Sequence, residues 1–138
     1  MAIARRQALS AFREDPFVLR FRARGYDLSG AVMAFAVRLY PNAEGEALIQ
    51  LGLTTTRGAA GIRVVATGSE AGVPWTDVEI VGPKDLIAAL PFTGEAGADD
   101  TFAYDFEWQR ADEGAGFSQQ QATILYGDFI VRGSVNNG

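Results

Sequence analysis

Asp105 and Glu107 stand two residues apart in TFAYDFEWQ (101–109). On a strand, period two puts both carboxylates on one side. Two carboxylates on one side are what a glycosidase needs, one as acid and one as base or nucleophile. The same spacing also describes the solvent face of an edge sheet, which needs no chemistry. Glu95, Asp99 and Asp100 crowd a second stretch, GEAGADD (94–100), and oxygen donors of this kind can hold calcium. Their spacing matches no metal motif, so a plain acidic loop is the favoured reading. Lys84 is the sole lysine. A Schiff-base role is open to it in principle, although its place near a helix start among exposed residues favours a solvated surface amine.

Two absences restrict the rest. The 138 residues include no histidine and no cysteine. Without histidine there is no Ser-His-Asp triad, no HExxH zinc site and no facial-triad iron site. Without cysteine there are no disulfides, thiolate nucleophiles or iron–sulfur ligands. No phosphate-binding glycine loop is present, neither GKS/GKT nor GxGxxG after a strand. The expectation is a protein that is not an enzyme and uses no metal or organic cofactor. The four aromatics Phe102, Tyr104, Phe106 and Trp108 share the other side of the same strand. Such a stripe can stack sugars or unpaired bases, but aromatic alternation on a strand is more often core, with Trp108 at the strand end the member expected to be exposed.

Charge is unevenly placed. The net charge is −5. Residues 1–24 nevertheless hold six arginines against Glu14 and Asp15, a net +4, and the remainder carries six positive and fifteen negative charges, a net −9. An acidic body argues against nucleic acid as a partner, and no run of 18 apolar residues is present to span a membrane. The start, MAIARRQALSAFRED, lacks the apolar stretch of a secretory signal. A basic start on an acidic body reads either as a solvated tail or as an arm that docks on a neighbour. The arm residues are Arg5, Arg6 and Arg13, with Ile3, Leu9 and Phe12 as scattered apolar positions that suggest a short helix over 1–13.

The elements that must position these residues are mostly strands. One domain's length is present, and 48% hydrophobic with 21% charged residues is a globular composition. PFVLRFR alternates from Pro16, with Phe17, Leu19 and Phe21 on one side. Gly25, Asp27, Ser29 and Gly30 make a turn, and Met33, Phe35, Val37 and Leu39 follow on one face of the next strand, so the two strands are expected to form a hairpin. Further strands are expected at 47–54, 61–67 and 75–81, with a loop at 68–74. PKDLIAALP predicts a short helix near 83–90, started by Pro83 and stopped by Pro91. The aromatic strand (101–109), a loop at 111–116 and a returning strand (121–135), with Gly127 marking a bulge, complete the chain. The fold class is all-β: an antiparallel sandwich of about seven strands with one short helix, divided into a basic arm (1–15) and a sandwich domain (16–138). Its expected core is Phe17, Leu19, Phe21, Met33, Phe35, Val37, Phe102, Tyr104, Phe106 and Phe129.

Three pieces then line up: the turn Asp27-Leu28-Ser29-Gly30-Ala31 leading into an alternating strand, Tyr104-Asp105-Phe106 in a later strand, and Gly127, Phe129, Val131 and Val135 near the end. This pattern resembles the immunoglobulin-like domain of tailed-phage baseplate and tail proteins, the type found at the N-terminus of baseplate upper proteins. The likeness covers about residues 16–135. The chain departs from it in a longer middle section (68–82) and in ending SVNNG, with no fibre or receptor-binding region after it. The resemblance implies an immunoglobulin-like sandwich that serves as a structural virion protein. Such a protein is located in the tail and assembled in the host cytoplasm. It docks on other tail or baseplate proteins and on copies of itself as a homo-oligomer, without nucleic acid or membrane as partner. Host recognition is not implied. A carbohydrate-binding sandwich is the alternative, and an enzyme relying on acidic residues alone is the third reading. Trp75 and Trp108 exposed in one groove would favour the sugar binder, and two close carboxylates in a deep cleft the enzyme.

Overall fold

The computed structural model describes residues 5–13, 15–28, 30–41, 43–57, 59–91, 99–110 and 120–132. Two sheets face one another. The larger contains β1 (Arg5–Arg6), β2 (Leu9–Phe12), β4 (Val32–Arg38), β5 (Ile49–Leu51), β8 (Asp100–Arg110) and β9 (Gln120–Arg132). Its order is β9-β8-β4-β5, with both β1 and β2 laid parallel along the outer side of β9. The smaller contains β3 (Phe17–Arg24), β6 (Gly61–Glu70) and β7 (Val73–Gly82) in the order β3-β7-β6. Among the described residues there is one short helix, α1 (Lys84–Ala88), which follows β7 behind Pro83. In immunoglobulin lettering, β3, β7 and β6 stand as B, E and D, while β4, β5, β8 and β9 stand as C, C′, F and G. The protein is an all-β, immunoglobulin-like sandwich.

Aromatic side chains join the two layers. Phe17 of the small sheet stacks on Phe35 (5.9 Å) and meets Phe129 edge-on (5.1 Å). Phe21 meets Phe106 edge-on at 5.4 Å. That contact ties the B and F strands, which antibody domains join with a disulfide. Each such pair adds about 0.5–1.5 kcal/mol beyond its buried area. All ten expected core residues lie in or against this core: eight are buried, and Leu19 and Phe21 are half-buried and packed on it.

Several expectations need correction. The strands flanking the DLSGA turn do not form a hairpin: β3 pairs with β7, and β4 pairs with β8 and β5. The turn is a crossing from one sheet to the other. Leu28 is 1% exposed between the layers, with the Thr76 hydroxyl beneath it. That hydroxyl donates to the Tyr26 carbonyl (3.0 Å) and accepts from the Leu28 N–H (3.0 Å). A buried plug satisfied on both sides holds the chain across the gap, where a two-residue hairpin turn would have kept it in one sheet. The large residues of both strands still reach one core, because each sheet turns its apolar face inward.

The loop expected at 68–74 is mostly strand, since β6 and β7 run on to a tight turn at Ala71-Gly72. Gly68 lies opposite Trp75, and a Cβ on Gly68 would sit 2.4 Å from the indole. The glycine leaves the strand bare so that the ring can lie across it. The bulge expected at Gly127 occurs three residues earlier. Register slips between Phe106↔Leu125 and Glu107↔Thr123, which leaves Ile124 as the extra residue. The short helix expected over 1–13 is replaced by β1 and β2. Leu9 and Ala11 point inward and Ser10 and Phe12 outward, a period of two, and the open edge of β9 supplies backbone partners. Residues 5–12 are thus part of the sandwich, and the boundary drawn at residue 15 falls between two of its strands. Ile3, the loop at 111–116 and most of GEAGADD lie outside the described residues.

Candidate functional site

The outer face of the large sheet carries an open depression of about 860 Å³. Cross-strand register lays out its residues. One row runs Arg38, Ala103, Asp128 across β4, β8 and β9. The next runs Ala36, Asp105, Tyr126 and then Arg6 of β1. Glu107 follows two residues along β8. Small residues at Ala103 and Gly127 leave the floor low, and Tyr40 and Tyr126 rise at the rim, 60% and 41% exposed. Arg38 donates from Nη1 to Asp105 Oδ1 at 3.3 Å across this floor.

Asp105 and Glu107 therefore share a face, as their spacing implies. That face is the outer, solvent-facing side of β8, a strand flanked by β4 and β9 within its sheet. Asp105 is occupied by Arg38, and the depression is open rather than a deep cleft. Of the acidic loop, Asp99 accepts from Arg132 (3.0 Å) and Asp100 from Arg13 (3.1 Å). Glu95 lies outside the described residues. Lys84 is exposed at the first position of α1.

The expected arm residues scatter. Arg6 lines the depression, and Arg5 is exposed. Leu9 is buried in the chain's own core, and Phe12 is 46% exposed on the outer face. Arg13 is drawn in, with its guanidinium on the buried carboxylate of Asp100. Between β1 and β2 the chain presses onto β9 at Gly127, whose φ is 148°. A Cβ there would stand 2.7 Å from the Gln7 carbonyl oxygen. That same oxygen accepts the Tyr104 hydroxyl at 2.6 Å. Burial pushes the Tyr104 phenol up to about 12, so it remains a donor at neutral pH.

The rest of the basic start is neutralised within the small sheet. Arg20 and Arg63 both donate to Glu79 (2.7 and 3.2 Å). Arg22 grips Asp77 with two bonds (2.7 and 3.1 Å) while lying 3.8 Å above the Trp75 ring. The paired arginine hydrogen bonds hold the carboxyls of Asp77 and Glu79 below their ordinary range. The two tryptophans do not share a groove: Trp75 is on the outer face of the small sheet, and Trp108 packs inward against Tyr26.

Sequence reading missed Arg38, Tyr40, Tyr126 and Asp128 as a group. Their outward phase was legible strand by strand, but their meeting depends on β8 lying between β4 and β9, a pairing set by long-range contacts. Comparison of the sequence with protein-family models gives no match, and comparison with curated proteins gives no match.

Proposed function

We propose that this chain is a docking module without catalytic activity, a structural subunit of a phage tail or baseplate that packs on neighbouring subunits. The observation that carries the reading is the outer-face depression, in which exposed tyrosines stand beside an arginine and carboxylates on a floor of small residues. Tyrosine and arginine are the side chains enriched where protein surfaces bind one another. Of the Asp105–Glu107 pair that acid–base chemistry would use, Asp105 is engaged with Arg38, and Asp77, Glu79, Asp99 and Asp100 are likewise engaged with arginines. The turn, YDF and GDFIV motifs supply the likeness to tail proteins.

Immunogold labelling of virions from a phage carrying this gene tests the reading. Label on the tail is the expected result, and a protein abundant in infected cells but absent from virions would overturn it. A second reading, carbohydrate binding, draws on Tyr40 and Tyr126 beside Asp105 and Glu107. Retention on a glycan array that is lost in Tyr126→Ala would favour it.

A further inference from the structure

We propose that the N-terminal strands exchange between copies of this chain, so that residues 5–12 of one copy lie on residues 125–132 of another. The segment is attached at a sheet edge. β1 and β2 both pair with β9, and no strand lies beyond them among the described residues. It contributes Leu9 and Ala11 to the core, while the two-layer body without it keeps its aromatic centre. Every group that receives the segment belongs to the body. The Gln7 N–H donates to the Tyr126 carbonyl (2.9 Å), and the Arg13 N–H donates to the Arg132 carbonyl (3.2 Å). Tyr104 donates to the Gln7 carbonyl, and Asp100 holds the Arg13 guanidinium. A second copy's segment can make the same contacts, so exchange leaves the contact energy nearly unchanged.

The connection also suits a hinge. Four residues, 13–16, separate β2 from β3, which lie in different sheets. Pro16 fixes its own φ and offers no N–H to hold the hinge closed. Among the described residues, two backbone bonds hold the hinge: the Asp15 N–H to the Phe12 carbonyl and the Arg13 N–H to the Arg132 carbonyl, both 3.2 Å. Gly127 makes β9 selective, because the Gln7 backbone rests where a side chain would otherwise stand.

Mass action sets the condition. A short tether holds its own segment at an effective concentration of about 1 mM. Dilute chains should close on themselves, and chains packed side by side should trade. The inference rests on the docking reading only for the setting that brings chains to that density. Because it is tested on the purified chain, its failure leaves the tail assignment standing, and failure of that assignment leaves exchange standing.

The test mixes two single-cysteine variants in this cysteine-free chain, Ser10→Cys and Ile130→Cys, at positions that are register partners. A short bis-maleimide then joins neighbouring thiols. The expected result is a covalent heterodimer whose yield climbs as total protein approaches about 1 mM. Gly127→Ala in the Ile130→Cys copy should reduce that yield at least tenfold. No heterodimer at any concentration, or a yield unaffected by Gly127→Ala, would overturn the proposal. Deleting Glu14 and Asp15 gives a check that does not depend on Gly127→Ala folding. The shortened hinge should produce a dimer at micromolar concentration, and a monomer would contradict the exchange.

Discussion

Thr76 and Glu79 show how single residues hold this sandwich. Thr76 is fully buried on β7, with its hydroxyl bonded to both sides of the sheet-to-sheet crossing. Thr76→Val keeps the shape and strands the Leu28 N–H and the Tyr26 carbonyl. The expected cost is about 1–3 kcal/mol, read as a lower midpoint in urea with an unchanged slope. Glu79 governs acid behaviour together with Asp77. Arg20, foremost, and Arg63 keep its carboxyl below the usual 4.5. A folded carboxyl with lowered proton affinity stabilises the protein above its unfolded pKa and loses that contribution as pH falls through the folded value. The unfolding temperature should therefore hold steady from neutral pH down to about 4.5 and fall below it. Glu79→Gln should lower the plateau and flatten part of the fall, which calorimetry across pH would show. Outward Arg20 and Arg22 were visible in the alternation of FVLRFR. Their partners were not, because Asp77 and Glu79 come into register only when β3 pairs with β7.

Among elements, the strands were legible where alternation was strong, and the connections were not. The aromatic strand, the returning strand and the short helix stand close to where the sequence placed them. The turn at 25–31 carried the same residue types as a hairpin, yet a buried Leu28 made it a crossing between layers. The N-terminal strands were obscured for another reason. Short, arginine-rich and weakly apolar, they are strands because β9 offers an edge. Gly127→Ala tests that account. The new Cβ must displace the Gln7 carbonyl, so β1 and β2 should detach while the remaining sandwich stays folded. Overpacking of this kind costs about 1–3 kcal/mol. Hydrogen exchange should quicken at Leu9 and Ala11 and remain slow at Phe35 and Phe106; uniform quickening would mean that the edge strands are integral to the core.

For the whole molecule, the charge asymmetry that suggested an arm reaching for an acidic neighbour is largely resolved within the chain. Arg13, Arg20, Arg22 and Arg24 find Asp100, Glu79, Asp77 and Glu70. Arg5 and Arg6 remain without an ion pair among the described residues, and Arg6 joins the outer-face depression. On the proposed docking reading, the Tyr40–Tyr126 face is the surface that meets neighbouring subunits, with Arg6 as a basic member. Tyr126→Ala should change stability by less than about 0.5 kcal/mol, as expected of an exposed side chain, and should weaken attachment if that face docks. Hydroxyl-radical footprinting of the free chain and of purified tail particles tests this central claim most directly. Docking predicts that Tyr40 and Tyr126 react readily in the free chain and are shielded in the particle, while the exposed Val18 and Val73 of the small sheet react alike in both; equal reactivity of the two tyrosines in chain and particle would contradict it.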